Sequence, residues 1–191
     1  MLWVLILSCT LHKRRNVHLD EQVISRKVCL ESNNTRIKHN RSKLIIDKRL
    51  NTTAQKYAEV LKKGNFFSHM NHETLSERTP LDRVLQSDGV YATTAENLSK
   101  ISILQIPIEN PRLRVVSHKK SQYTQLEETT LIPHHTNQTA AKSTVQGWMD
   151  SKVHRENLLF SSMTHMGCGT SIIFPINKVP MLIAVQLLQS Q

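Results

Sequence analysis

Three clusters in the sequence place polar side chains that could do chemistry directly beside apolar ones. A polar group in that setting is either hydrogen bonded within the fold or part of a site, because burial without a partner costs about 1–3 kcal/mol. Histidine and carboxylate side chains are of most interest, since they exchange protons and ligate metal ions. The clusters are Phe66-Phe67-Ser68-His69, Ala95-Glu96-Asn97-Leu98, and Trp148-Met149-Asp150-Ser151 followed by His154-Arg155-Glu156-Asn157-Leu158-Leu159.

Other chemical motifs are missing from the sequence. It contains no glycine-rich phosphate loop, Gly-x-Ser-x-Gly elbow or His-Glu-x-x-His helix. Its three cysteines, Cys9, Cys29 and Cys168, can form at most one bridge and include no Cys-x-x-Cys pair, which excludes a disulfide framework and a thiolate zinc site. Cys168 lies between two glycines beside an apolar run, so we interpret it as a small core residue rather than a reactive thiol.

The net charge of +10 belongs mainly to the N-terminal part of the chain. Residues 1–50 hold 11 Lys and Arg against 4 Asp and Glu, whereas residues 51–191 hold 14 against 11. The basic residues of this N-terminal arm, residues 12–49, are not interleaved with aromatic ones. Their pattern therefore favours a solvated tail over a nucleic-acid interface. We therefore expect no nucleic-acid partner.

The first eight residues are apolar and end at Leu7-Ser8-Cys9, as in a shortened export signal or a lipobox. The start of this segment is uncharged and Lys13-Arg14-Arg15 follow it, which departs from the pattern of a complete signal. No other stretch approaches the roughly 18 apolar residues of a membrane span. We expect residues 1–30 to form an apolar segment and a basic arm outside a single domain of residues 31–190.

The apolar periodicity predicts three helices. One begins near Leu50 and ends at Gly64, and a second begins at Thr79 with Pro80 at its first position. Thr139 is the predicted cap of the third. The apolar faces of the first and third helices are Leu50, Ala54, Tyr57, Ala58 and Leu61, and Ala140, Ala141, Val145, Trp148 and Met149.

The remaining segments favour an α+β fold over βαβ repeats. Residues 169–174 and 181–185 read as a closing antiparallel pair of strands. Residues 101–138 hold three prolines and no steady period, so we expect most of them to form a surface insertion, with the isoleucines of residues 101–108 as a strand edge.

Taken in order, the motifs resemble those of the CAP superfamily, which includes cysteine-rich secretory proteins, antigen 5 and plant pathogenesis-related proteins. The likeness is strongest to its disulfide-poor bacterial branch and runs from about Asn33 to Gln186. Asn33-Asn34-Thr35-Arg36 matches the Asn-x-x-Arg motif in the first helix of the family, which precedes the helix predicted from Leu50 to Gly64. Besides the three clusters, the matching motifs are Pro80-Leu81-Asp82-Arg83 and Gly167-Cys168-Gly169.

The resemblance implies a three-layer α-β-α sandwich with a central antiparallel sheet and a cleft lined by two His and two acidic residues. His69, Glu96 and His154 match three of these four positions. Ser151 stands where the second acid would be, so the tetrad is incomplete. Asn97 and Asn157 are expected beside the cleft.

The chemistry of this trio has two interpretations. Two neutral imidazoles, with a carboxylate that ligates or orients water, can bind zinc or another divalent metal weakly, since catalytic zinc usually has three protein ligands. Alternatively, Glu96 fixes the tautomer of His69 or His154 through a hydrogen bond. No cofactor is required in either case.

The resemblance favours a non-enzymatic, monomeric binding module, secreted or at the cell envelope, that takes a metal, a small apolar ligand such as a lipid, or a protein partner. The alternative is a hydrolase in which His69, Glu96 and His154 supply acid-base or metal-assisted chemistry. No nucleophile is marked, because neither Ser68 nor Ser151 lies in a recognisable elbow.

Overall fold

A four-stranded sheet with helices on both faces forms the centre of the structure. The computed structural model describes residues 19–106, 113–117, 122–125, 131–174 and 179–190. The helices are α1 (Glu21–Lys38), α2 (Lys48–Gly64), α3 (Pro80–Leu85), α4 (Asn137–Asp150) and α5 (Lys152–Leu159), with a short 3-10 helix at Leu75–Glu77. The strands are β1 (Ile45–Ile46), β2 (Thr94–Ser102), β3 (Leu113–Ser117), β4 (Gln122–Gln125), β5 (His165–Ile173) and β6 (Met181–Gln189).

Strand β6 shows why the architecture is a three-layer sandwich. Residues Leu182 and Ala184 pack with α1, α4 and α5 on one face of the sheet, whereas Ile183 and Val185 pack with α2 and α3 on the other. Successive side chains of a strand point to opposite faces, and β6 is buried at every position after Met181, so helices must cover both faces of the sheet there. The α+β prediction and the three-layer prediction are confirmed.

The sheet order is β1-β5-β6-β2. The closing pair is confirmed, since β5 and β6 are antiparallel, and β2 pairs antiparallel with the other side of β6. The short β1 is parallel to β5, so the predicted antiparallel sheet has one parallel edge. Strands β3 and β4 form a separate antiparallel pair.

Helix α1 crosses the predicted domain boundary at residue 31. It begins at Glu21, capped by the Asp20 side chain, and therefore crosses residue 31. Ile24 and Val28 are 0% exposed in the core between α1, α4 and the sheet. Part of the expected arm is thus packed, because Ile24 and Val28 are four residues apart and lie on the same face of α1.

Of the three helices predicted from periodicity, two begin near the predicted residue and one does not. Helix α2 begins and ends near the predicted residues, and α3 begins at Pro80 with Thr79 and Asp82 in a capping box. Helix α4 begins at Asn137 with Thr136 as its cap, so the prediction of Thr139 is wrong by one turn. Thr139 is the other member of that capping box, which explains the confusion.

Residues 101–138 are not simply a surface insertion. Ile103, Leu104, Tyr123 and Ile132 are buried in the core on the α1 face. The segment therefore contributes core side chains, although its sequence has no steady period. The predictions for Ile108 and for two of the three prolines, at residues 107 and 111, lie outside the described residues.

A disulfide joins Cys29 of α1 to Cys168 of β5, 139 positions apart. Each cysteine residue is 1% exposed, so Cys168 is a core residue as predicted, but its sulfur is bonded. The single bridge that the cysteine count permits therefore ties the first helix to the sheet.

The predictions for the apolar segment of residues 1–8 and for Cys9 lie outside the described residues. Within the part of the chain that the structure describes, no helix is both long and apolar enough to span a membrane.

Candidate functional site

The candidate site lies at the free edge of the sheet, where two adjacent residues of β2 point to opposite faces. Glu96 pairs in register with Leu187, which packs with α2, and Asn97 pairs with Gln186, which bonds Ser32 of α1. Because β2 is an edge strand, both helical layers end here. Glu96 and Asn97 can therefore hold one histidine from each layer.

Glu96 holds the first histidine. Its carboxylate side chain is 1% exposed and has a partner at each oxygen: His69 Nδ1 lies 2.9 Å from Oε1, and Arg83 Nη2 lies 2.6 Å from Oε2. The carboxylate accepts the proton of His69 Nδ1, which leaves Nε2 as the nitrogen free for a ligand. The tautomer interpretation is thus the one that this hydrogen bond supports.

Arg83 positions this side of the site, and its own position is fixed from several directions. Its guanidinium carbon lies 3.4 Å from the centroid of the Tyr57 ring, in a cation-π contact. It also donates to the backbone carbonyls of His69, Glu77 and Arg78. One buried cation therefore neutralises Glu96 and holds the loop that carries His69.

Tyr57 of α2 completes the support of that loop. Its hydroxyl donates to the carbonyl of Ser68 at 2.7 Å. Burial raises the pKa of Tyr57 to about 12, partly offset by the nearby Arg83 charge. The phenol is therefore a neutral hydrogen-bond donor at physiological pH.

Asn97 holds the second histidine through its backbone. Its Nδ2 donates to the carbonyl of His154 at 3.1 Å and to Gln186 Oε1 at 3.0 Å, and its Oδ1 accepts from Asn157 at 3.0 Å. These bonds fasten α5 to the sheet. Asn97 and Asn157 thus contact the backbone around His154, and their role in the structure is to position α5.

The two imidazole rings meet across the sheet edge. Their centroids are 6.4 Å apart and the rings are tilted by 47°. The side chain of His69 is 48% exposed. Burial and, second, the proximity of His69 lower the pKa of His154 below its usual 6.5. His154 therefore favours its neutral form, which is the form that ligates metals.

The residues fit an open two-ligand metal site better than a three-ligand one. Among the described residues, no group of three or more His, Cys, Asp or Glu is placed to hold an ion. Both oxygens of Glu96 already have partners, so the available donors are His69 and His154. Two imidazoles on a tetrahedral ion place their centroids about 5 Å apart, so these rings would need to approach by about 1 Å.

Ser151 occupies the junction of α4 and α5, where it is the residue after one helix and the N-cap of the next. Its side chain makes no capping hydrogen bond. In the described part of the chain, neither imidazole of the pair is hydrogen bonded to a hydroxyl or thiol group. The structure thus aligns no nucleophile with the pair.

Arg83 and Tyr57 are members of this site that the sequence did not predict. Tyr57 was assigned only to the apolar face of α2, and Arg83 appeared only within a matching motif. A basic residue shortly after a helix N-cap gives no signal of its own. The order Pro80-Leu81-Asp82-Arg83 was the one available indication that Arg83 has a fixed place.

Two cavities lie away from the histidine pair. One, of about 770 Å³, lies between α1 and α2 beside the disulfide and is lined mainly by apolar surface. The other, of about 530 Å³, lies between α1 and α4 and is lined by charged residues of both signs. Neither is lined by His69 or His154.

A sequence model of the CAP family, the cysteine-rich secretory protein family, matches residues 31–172. This chain belongs to the CAP family. No curated protein sequence is significantly similar to it. His69 and His154 both lie within the residues that match the CAP family.

Three solved structures share the fold of this CAP domain. An extracellular protein with an SCP domain from Bacillus anthracis is 21% identical with a TM-score of 0.58, over 90% of this chain and 41% of that one. An outer surface protein from Borrelia burgdorferi is 20% identical with a TM-score of 0.59, over 91% and 96%. A cysteine-rich secretory protein from Staphylococcus aureus is 14% identical with a TM-score of 0.54, over 90% and 40%. The chain thus spans about two fifths of the first and third proteins.

Proposed function

We propose that this CAP domain is a non-enzymatic binding module that acts outside the cell or at its envelope, and that it binds a divalent transition metal weakly through His69 and His154. One observation carries the proposal: the buried Arg83-Glu96 pair fixes Nδ1 of His69 and leaves Nε2 free beside His154. A carboxylate that fixes the tautomer of a ligating histidine, as Glu96 does for His69, is an arrangement that metal sites use.

The two-ligand set defines what kind of binding to expect. With two protein ligands, solvent or a partner's polar group would complete the coordination of the ion. Affinity would accordingly be low and would rise when a partner supplies a further ligand. The metal is therefore proposed as a bridge to a small molecule or protein rather than as a structural component.

Two observations support the proposed location. The disulfide between Cys29 and Cys168 is a bond that persists in oxidising compartments and is rare in the cytosol. The proteins from Bacillus anthracis and Borrelia burgdorferi that share the fold are described as extracellular and as an outer surface protein.

Calorimetric titration of the purified protein with Zn²⁺ tests the metal site. We expect weak heat-producing binding at pH 7.5 that disappears near pH 5.5, because protonated imidazole is no ligand. His69→Ala and His154→Ala should each abolish it. His72→Ala is the matched control, since His72 is an exposed residue of the same loop and should leave binding unchanged.

A second measurement separates a metal site from a structural network. Thermal melting of the two alanine variants should stay near that of the wild type, because His69 is half exposed and His154 is only partly buried. If no zinc binds at pH 7.5 and both variants melt at clearly lower temperatures, the histidines stabilise the fold and the proposed function is wrong.

A further inference from the structure

A surface at the opposite edge of the sheet exposes isoleucines among basic residues. Ile45 is 62% exposed and Ile46 is 42% exposed, and both belong to the edge strand β1. Leu30 and Ile37 of α1 are 55% and 48% exposed. We call the surface the basic-aliphatic patch; it consists of Arg26, Leu30, Ile37, Arg41, Lys43, Ile45, Ile46 and Lys48.

The patch is continuous from helix to strand. Leu30 and Ile37 are seven residues apart and therefore lie on one face of α1. Leu30 and Ile46 line the same cavity of about 770 Å³ between α1 and α2, together with Arg26 and the disulfide. Ile45 follows on β1, between Lys43 and Lys48 in sequence.

The exposure of these isoleucines is built into the fold. Asn33 of α1 holds both backbone groups of Leu44, donating to its carbonyl at 2.9 Å and accepting from its amide at 2.8 Å. Arg36 donates to the carbonyl of Ser42, and the amide of Ile45 donates to Thr164. These hydrogen bonds fix the backbone of the connection between α1 and β1 on the side that faces the protein interior. Its outward-facing side chains are therefore exposed to solvent.

The charge of the patch is positive and largely uncompensated. Arg26, Arg41, Lys43 and Lys48 form no ion pair with any described residue, and all four are exposed. Two acids are adjacent to the patch in sequence: Asp47 caps α2 and pairs with Arg49, and Glu31 lines the other cavity, between α1 and α4. Glu59 of α2 lines the cavity between α1 and α2. Four free cations therefore surround the exposed aliphatic side chains.

We propose that the basic-aliphatic patch docks this domain on an anionic membrane surface. Aliphatic side chains can enter the boundary between headgroups and acyl chains while Lys and Arg meet the phosphates. The exposed apolar residues of the patch are all aliphatic, so they offer no aromatic ring for stacking on bases, which favours a bilayer over a nucleic acid. This inference is independent of the histidine site.

Vesicle co-sedimentation tests the proposal with the whole protein. It should bind phosphatidylcholine vesicles that contain about 30 mol% phosphatidylglycerol and not vesicles of phosphatidylcholine alone, and added salt should release it. Lys43→Glu and Ile45→Ser together should weaken binding about tenfold or more. Lys152→Glu with Val153→Ser is the matched control, since both residues are exposed on α5, which packs at the other edge of the sheet.

Several outcomes would overturn the proposal. These are no binding to anionic vesicles, equal binding to neutral ones, an equal loss in the control variant, or unchanged binding after Ile45→Ser alone. Binding to a soluble polyanion such as heparin without binding to vesicles would replace the membrane by a polyanionic partner. Melting temperatures of all variants should match that of the wild type, because the changed side chains are exposed.

Discussion

Glu96 illustrates how a single buried side chain organises the candidate site. It is enclosed between Arg83 and His69, and the Arg83 side chain is itself 3% exposed. A buried ion pair contributes little net stability, yet removing one partner leaves an uncompensated charge. The pair therefore acts mainly by fixing geometry.

Arg83→Ala should lower the free energy of unfolding by about 3–5 kcal/mol. The substitution leaves the buried Glu96 carboxylate without its cation and removes the donor to three loop carbonyls. Urea denaturation measures the change. Arg78→Ala is the matched control, since Arg78 is exposed in the same region, and its effect should stay within about 0.5 kcal/mol. Equal effects of the two substitutions would show that the buried pair is not special.

The histidines also predict a pH dependence of stability. The folded-state pKa of His154 lies below 6.5, so the unfolded chain takes up a proton first as pH falls. The stability associated with neutral His154 is fully present above about pH 6.5 and is lost as pH falls through its folded pKa.

His154→Gln should therefore flatten the fall of the unfolding free energy between about pH 6.5 and pH 5. Burial lowers the pKa of His135 as well, so part of the slope should remain in this variant. An unchanged slope in the variant would contradict the assignment.

At the scale of elements, the sandwich depends on the direct contact of α2 with β5. A Cβ added at Gly167 would lie 2.1 Å from the carbonyl carbon of Leu50, and one at Gly169 would lie 2.2 Å from the amide of Gln55. No side chain can fit between a helix backbone and a strand at that distance. The two glycines flanking Cys168 thus set the spacing of the layers.

Gly167→Ala should therefore lower the free energy of unfolding by about 1–3 kcal/mol or more, because α2 must move away from the sheet. Gly147→Ala is the matched control in the exposed interior of α4, where a Cβ meets nothing within 4 Å. That change should stabilise the protein by about 0.5–1 kcal/mol. Denaturant midpoints of the two variants should thus move in opposite directions.

The disulfide joins elements that are far apart in the chain. Closing a loop of 139 positions is worth about 5 kcal/mol in the chain-entropy model. Replacing Cys29 and Cys168 by Ser in a Cys9→Ser background should lower the free energy of unfolding by about 2–5 kcal/mol. A reducing agent should destabilise the Cys9→Ser protein similarly and leave the triple variant unchanged.

At the scale of the whole molecule, α1 closes the domain. Its buried residues cover one face of the sheet, and its polar residues Ser32, Asn33 and Arg36 bond Gln186, Leu44 and the end of α5. A helix with so many partners belongs to the cooperative unit.

Removing residues 1–30 should consequently abolish cooperative unfolding, because it deletes Ile24, Val28 and Cys29. This outcome is the reverse of what a boundary at residue 31 implies. Removal of residues 1–18 keeps the whole helix and is the matched control. Circular dichroism melts of the two proteins compare them, and equal midpoints would show that the N-terminal half of α1 is dispensable.

Local sequence signals predicted the elements that they specify physically. The spacing of Leu50, Tyr57 and Leu61 marked α2, and the capping pattern at Thr79 marked α3. The order of motifs placed His69, Glu96 and His154 in one site. In contrast, periodicity did not predict α1, because most of its buried residues are polar and its amphipathic pattern is weak; the resemblance alone implied a helix around Asn33 and Arg36.

The fold family, the α+β class and the candidate trio of two histidines and a glutamate could be predicted from the order of residues alone. The packed fold was needed to show that Glu96 bonds His69 and Arg83, that Cys29 bonds Cys168, and that the aliphatic residues near β1 stay exposed. The reason is physical: periodicity and capping act within about one helical turn, whereas these contacts join residues 13 to 139 positions apart. Such pairs are set by how the layers pack, and no local pattern encodes them.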